Sequence, residues 1–504
     1  MPASKSSRPS PISSAVAFVL LAALGSAAAA WFYFHGYTLY YGDAEAHLNT
    51  ARRIIDSRTP GYDQLGTPWL PLPHLLMIPF VRNDALWRSG LAGTIPGVAC
   101  FALAGVFLFA AARRVFSDTA SAACTLALFA LNPNLLYVQS IPMTEPAFFL
   151  SLCGLLYCTV AFAGTQSTWL AFCAGVFSIA GCLTRYDGWW LIPFVTLYFL
   201  LVSDEHRFRN AIIYGAVASA APLYWLCNNW YCCGDMWEFY QGRYSARGIQ
   251  GGAPYPGEHN WHVAWIYFRT AATMVAGRPL AWIGTIGVAA ALLKRALWPV
   301  ILLALTPIFY VVSLHGSGTP IHVPQFWPYS YYNTRYGLAA LPLLALGGGA
   351  LVAWAPERIR GFAVLVMIAA AIAPWLLHPS TEAWICWKES QVNSNARRAW
   401  TSEASEYLRA HYKSGEGIFT MFGDMTGILR EAGIPLREAL HDGNNPAWMS
   451  AKARPDLFLH EEWAVAIDGD EVSSVMKNEP RYRCVKMIRV VEKNAPVILI
   501  YHRQ

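Results

Sequence analysis

Apolar runs of about twenty residues recur along most of this chain, and no other feature limits its fold so tightly. In hydrocarbon every backbone N–H and C=O must be satisfied within the chain, so such runs can only be helices. The runs are centred near 14–34, 90–112, 119–138, 144–164, 168–184, 188–203, 210–227, 277–293, 297–314, 336–354 and 361–378. Each approaches the roughly twenty residues needed to cross a bilayer core of about 30 Å, which predicts about eleven transmembrane helices. The composition agrees: 55% of residues are hydrophobic and 13% charged, where a soluble domain carries about a quarter charged. The net charge of +6 is spread along the chain. It forms no basic stripe, which excludes nucleic acid as a partner.

The N-terminal segment has a basic start and an Ala-rich end, like a secretory signal. Its apolar run from Ser14 to Phe34 exceeds the 7–15 residues of a signal core, so it reads as an uncleaved first helix. Basic residues then fix the sidedness. Lys5/Arg8, Arg113/Arg114, Arg207/Arg209, Lys294/Arg295 and Arg358/Arg360 all fall on one side when the spans alternate. By the positive-inside rule that side is the cytoplasm. The long segments 35–89 and 228–276 and the tail beyond 378 then lie outside. Two domains are expected: a transmembrane module over 1–378 and a soluble α/β domain over 379–504. In the tail, 396–413 and 423–433 read as helices. Residues 417–422, 456–467, 483–492 and 495–502 have strand-like density of branched residues.

The cysteines carry little chemistry. Cys100, Cys124, Cys153, Cys158, Cys173 and Cys182 lie inside apolar runs, where thiols pack as small hydrophobes. Cys232 and Cys233 are adjacent in a polar loop, and Cys386 and Cys484 lie in the tail. Either set could be oxidised outside the cell, but spacing gives no connectivity.

Polar chemistry clusters at the outer ends of helices rather than mid-span, where channels and pumps place functional charges. The first cluster is Gly42-Asp43-Ala44-Glu45-Ala46-His47. Asp43 fits a helix N-cap before a helix over 44–57, with Glu45 favouring its dipole. The spacing of Ala44, Ala51, Ile54 and Ile55, opposite Arg52, Arg53 and Arg58, fits a helix lying on the membrane surface. Within one helix Asp43 and Glu45 would point about 200° apart, so both face one pocket only if Asp43 precedes it. Thr144-Glu145-Pro146 opens a middle span, either as an ordinary acidic first turn or as an acid facing an acceptor. Arg185-Tyr186-Asp187 occupies a very short outer turn. Asn333-Thr334-Arg335-Tyr336 sits at the outer end of a late span, where Arg335 either snorkels or holds a phosphate. The 228–276 segment, with Gln241, Arg243, Tyr244, Arg247, His259 and His262, could cover such a site.

In their order and sidedness these motifs resemble the GT-C superfamily of integral-membrane glycosyltransferases. The resemblance is greatest to the branch of protein O-mannosyltransferases and the lipid A aminoarabinose transferase. It implies transfer of a sugar from a polyprenyl-phosphate carrier to a glycan, lipid or protein acceptor at the outer face of the inner membrane, with inversion. The first-loop acid is the base in that family, which falls on Asp43, with Glu45 beside it and Glu145 at the second acidic position. Arg335, Tyr336 and Arg185 match the donor-phosphate side, with His47, Asp187, Arg243 and Asn333 as further pocket residues. Relatives often have adjacent acids, whereas Ala44 separates them here. An acid-x-acid spacing also occurs in metal-using members, so Mg or Mn held by Asp43 and Glu45 remains an open expectation. A flippase for lipid-linked sugars is the alternative reading. Broken, charged spans in matching halves are not evident in the sequence, and the mass is lopsided toward the outside, both of which count against it.

Overall fold

The computed structural model describes residues 11–492 and 495–504; Lys5 and Arg8 lie outside the described residues. The chain divides into two compact units. One comprises residues 1–34, 67–73 and 94–389, the other 35–66, 74–93 and 390–504.

The first unit is helical. Among the described residues, seven helices are long and apolar enough to cross a membrane: Ser14–Phe34, Leu91–Phe116, Glu145–Thr165, Arg207–Cys233, Leu297–Gly316, Thr334–Trp354 and Glu357–Leu377. The count reaches nine if two bent pairs each form one span, Thr119–Ala130 with Pro133–Gln139 and Trp261–Ala276 with Arg278–Leu293. The eleven expected spans also included Thr168–Cys182 and Asp187–Val202, of 15 and 16 residues. At 1.5 Å per residue these reach about 22–24 Å, short of a full hydrocarbon core. The bends have local causes. Pro133 follows Asn132, whose side chain accepts from the Asn134 and Leu135 N–H groups and starts a new helix. Gly277 has φ +81°, which breaks the other pair by 111°.

Close helix contacts rest on absent side chains. A Cβ on Gly287 would collide with the Gly347 carbonyl, and one on Gly284 would lie 2.6 Å from Leu344 Cβ. This lets Arg278–Leu293 and Leu341–Trp354 approach backbone to backbone, as small-residue motifs do in membranes. The expected outer segment 228–276 is shorter than its sequence suggests. Arg207–Cys233 runs on past 228, and Trp261–Ala276 is helical from its Asn260 cap.

The second unit is built on a five-stranded sheet in the order β2-β1-β3-β5-β4. Its strands are β1 (Ile418–Thr420), β2 (Ala439–Leu440), β3 (Trp463–Ile467), β4 (Tyr482–Ile488) and β5 (Ile498–Arg503). β2, β1 and β3 are parallel, and β5 and β4 continue antiparallel. Both faces are covered, so side chains alternate between two cores. Ile418, Trp463, Val465, Ile498 and Ile500 face one core; Phe419, Ala464, Ala466, Leu499 and Tyr501 face the other. The expected strand 456–467 is extended only over Trp463–Ile467, because Pro455 opens a helical turn. The expected helix 423–433 is observed as Thr426–Ala432, stopped by Gly433 at φ +85°. Among the described residues no two cysteines form a disulfide.

The first core also receives residues from the opposite end of the sequence. Leu48, Ala51, Met77, Val81 and Trp87 pack with Trp400, Ala404, Leu408, Ile428 and Trp463. The sequence reading had placed all of 35–89 with the membrane module. The structure instead groups 35–66 and 74–93 with the tail and sets the later boundary at 389/390, not 378/379. The surface-lying helix over 44–57 is likewise corrected. The helix is Gly42–Arg53 and is buried on most sides. Arg52, expected to face away from the apolar residues, is buried because it is neutralised. It pairs with Asp56 at 2.8 Å and Asp84 at 2.7 Å and lies over the Trp87 ring.

His441 begins the loop after β2 and is almost fully buried. Burial, then the Arg53 charge, pushes its imidazole down to about 3. A depressed folded value means the unfolded chain binds the extra proton. The stabilisation from neutral His441 is therefore full above the ordinary value of 6.5 and drains away as pH falls towards about 3. Denaturant titrations of the second unit between pH 7 and 4 should show this loss. A His441→Gln variant should show a flatter dependence over that window.

Candidate active site

The polar motifs of the first unit converge. Glu145 starts helix Glu145–Thr165 and is 5% exposed. Its Oε1 receives Arg185 Nη1 at 3.1 Å and Arg335 Nε at 3.3 Å. Thr144 precedes the helix without capping it. Its hydroxyl instead accepts from Arg185 Nη1 at 2.8 Å.

Arg185 reaches this point because Thr168–Cys182 and Asp187–Val202 are joined by only four residues. Gly188 permits the turn: a Cβ there would lie 2.7 Å from the Gly181 carbonyl carbon. Asp187 Oδ1 lies 3.5 Å from Arg185 Nε. Tyr310 accepts from Arg185 Nη2 and donates to Asp187 Oδ2 at 3.1 Å.

Arg335 is also almost fully buried and has a second acid, Glu389, 3.6 Å from its Nη1. Glu389 accepts from the Asn333 N–H at 2.9 Å, the Thr334 N–H at 2.7 Å and the Thr334 hydroxyl. Asn333 stands at φ +54°, a conformation Asn tolerates, and its side chain donates to the Pro320 carbonyl at 3.0 Å. The ring centroid of Tyr336 is 5.1 Å from the Arg335 guanidinium carbon and 5.2 Å from that of Arg185. Two guanidiniums thus share one carboxylate oxygen and one aromatic ring.

Glu145, Arg185, Asp187, Asn333, Arg335 and Tyr336 therefore lie together at these helix ends. Tyr310 and Glu389 were missed. Tyr310 sits in an apolar span with no polar neighbour in sequence, and Glu389 lies in the amphipathic helix Ile385–His411, where an acid looks like surface. Arg243 is exposed, its guanidinium 5.5 Å from the Tyr244 ring.

Asp43, Glu45 and His47 belong to the second unit. Asp43 does not precede its helix: Tyr41 is the N-cap, and Asp43 stands inside the first turn. The two acids therefore point about 200° apart. Glu45 is held in the core of its unit by Arg397, and by Arg430 at 2.8 Å. His47 Nδ1 is 2.9 Å from His74 Nε2. Asp43 is half-buried. Among the described residues, no group of three or more His, Cys, Asp or Glu side chains is placed to hold a metal ion. With one oxygen bound by each arginine, Glu45 does not fit the role of a metal ligand.

Comparisons with known proteins point one way. Residues 86–226 match the family described as dolichyl-phosphate-mannose-protein mannosyltransferase. The fold is similar to ArnT from Cupriavidus metallidurans bound to undecaprenyl phosphate, with TM-score 0.55 and 13% identity over 95% of this chain and 97% of that one. The apo form of that enzyme gives TM-score 0.55 and 14% identity over the same shares. The oligosaccharyltransferase of Archaeoglobus fulgidus gives TM-score 0.50 and 13% identity, covering 90% of this chain and 69% of that one. Among curated proteins no sequence matches significantly. The family match lies within the helical module, and the polytopic module with its α/β second unit is similar in fold to ArnT over nearly its whole length.

Proposed function

We propose that the enzyme transfers a sugar from a polyprenyl-phosphate carrier to a glycan, lipid or protein acceptor. Transfer takes place on the extracytoplasmic side of the inner membrane, with the N-terminus in the cytoplasm. The observation that carries this reading is the pair formed by the partly buried Arg185 and the buried Arg335, gathered on Glu145 at helix ends. Guanidiniums offer parallel donors to phosphate oxygens, and here both are fixed before any ligand arrives. The undecaprenyl phosphate bound to the Cupriavidus enzyme supports a carrier of that chemical class.

In the proposed reaction the acceptor nucleophile attacks the anomeric carbon as Asp43 takes its proton. The bond from that carbon to the phosphate oxygen breaks, and the departing polyprenyl phosphate keeps the electron pair. Arg335, backed by Arg185, stabilises the charge on it. One in-line displacement inverts the anomeric centre. Glu145 orients the two arginines. Glu45, committed to Arg397 and Arg430, contributes to folding, and no step is assigned to a metal at Asp43 and Glu45.

Arg335→Ala tests the phosphate role. Removing a charged donor should weaken undecaprenyl phosphate binding roughly 10–100-fold. Wild-type affinity in a folded Arg335→Ala protein would sink the assignment. Carrier movement across vesicles without any sugar transfer would favour a flippase instead.

A further inference from the structure

Glu389 is the one carboxylate near the arginine pair that no motif contains. It is 1% exposed, and its contacts converge on one short stretch of chain. Oε1 accepts from the Asn333 N–H, and Oε2 from the Thr334 N–H and hydroxyl. A fourth interaction is with the Arg335 guanidinium, at 3.6 Å. Two successive backbone N–H groups at the opening of Thr334–Ala340 have no partner within their own helix. Glu389 satisfies both from a different helix, where a local Ser or Asp cap would otherwise serve. A local cap would fix the helix start alone. Glu389 fixes the helix start and the side chain that begins there.

Arg335 is also held by Glu145, whose Oε1 it shares with Arg185. Two acids on different helices define both the position and the direction of its guanidinium. Glu145 Oε2 is buried without a hydrogen bond, so only one oxygen of that carboxylate holds the two arginines.

We infer that Glu389 is a positioning residue for donor binding: it clamps residues 333–335 so that Arg335 presents its guanidinium to the lipid phosphate. This rests on the phosphate role proposed for Arg335. It assigns to the start of the Ile385–His411 helix a part in donor recognition.

The test is a double-mutant cycle in the full-length protein, reading undecaprenyl phosphate affinity and the donor KM and kcat. Glu389→Gln should weaken phosphate binding about tenfold and raise donor KM with little change in kcat. Glu389→Asp, which keeps the charge, should recover part of the loss. The double variant Glu389→Gln/Arg335→Ala should bind no more weakly than Arg335→Ala alone, since both changes remove one interaction. A merely structural Glu389 would give losses that multiply, and that result overturns the inference. So does wild-type affinity in Glu389→Gln when Arg335→Ala has lost it. Wild-type affinity in Arg335→Ala would instead remove the phosphate role, and the inference with it, a pattern distinct from failure at Glu389 alone. If Glu389→Gln does not fold, Thr334→Val removes only the hydroxyl donated to Glu389. It should raise donor KM severalfold, and an unchanged KM overturns the clamp.

Discussion

Asp43→Asn should lower sugar transfer by roughly 10²–10⁴-fold while leaving undecaprenyl phosphate affinity unchanged, the signature of losing a general base. The substitution preserves side-chain volume and removes only the proton-accepting charge. It also separates the two roles first weighed for this residue. An acid in the first turn favours the helix dipole by about 0.3–1 kcal/mol, so a purely structural Asp43 would cost a little stability and no turnover. The geometry already weakens the capping role, since Tyr41 holds the N-cap position and Asp43 lies one residue inside the helix. Full transfer by Asp43→Asn, measured with a radiolabelled polyprenyl-phosphate sugar, would remove the base assignment.

The second large effect concerns stability. Glu45→Ala should destabilise the second unit by about 3–5 kcal/mol, the usual cost of leaving buried charges uncompensated. The Glu45, Arg397 and Arg430 side chains are only 6%, 9% and 8% exposed. Removing the acid takes the carboxylate from Arg397 and leaves Arg430 with Glu431 at 3.2 Å, an acid whose side chain is 34% exposed. Arg430 also donates to the Arg88 carbonyl at 2.8 Å, and Arg397 to that of Tyr40 at 2.8 Å. These bonds to carbonyls carry no full charge and do not replace Glu45. A denaturation midpoint equal to wild type would show that Glu45 is not a structural anchor. The two acids of one motif thus separate into different measurements, turnover for Asp43 and unfolding for Glu45.

What could be read from the sequence was mostly local. Apolar runs gave the helices, and Thr144-Glu145-Pro146, Arg185-Tyr186-Asp187 and Asn333-x-Arg335-Tyr336 marked the helix ends that meet. The grouping of the first outer segment with the tail was not legible, because it is held by pairings of great sequence separation. Glu45 and Arg397 are 352 residues apart, and Asn49 and Thr426 are 377 apart. Periodicity marked Ala44 and Ala51 of the Gly42–Arg53 helix as apolar, but it could not show that protein covers this helix on most sides, Arg52 included. Glu389 was hidden for a related reason: an acid in an amphipathic helix reads as surface until the chain that needs it is in place.

The composition of the second unit has a consequence for biogenesis. Its core takes residues 35–66 and 74–93, yet the strands they cover lie beyond residue 390. On a ribosome adding about 5–20 residues per second, residues 94–389 take roughly 15–60 s to appear. Throughout that interval Leu48, Ala51 and Trp87 wait without their partners. The nascent protein must therefore shelter this early segment until the late one arrives. Premature termination anywhere before the final strand would leave that segment an orphan for quality-control proteases.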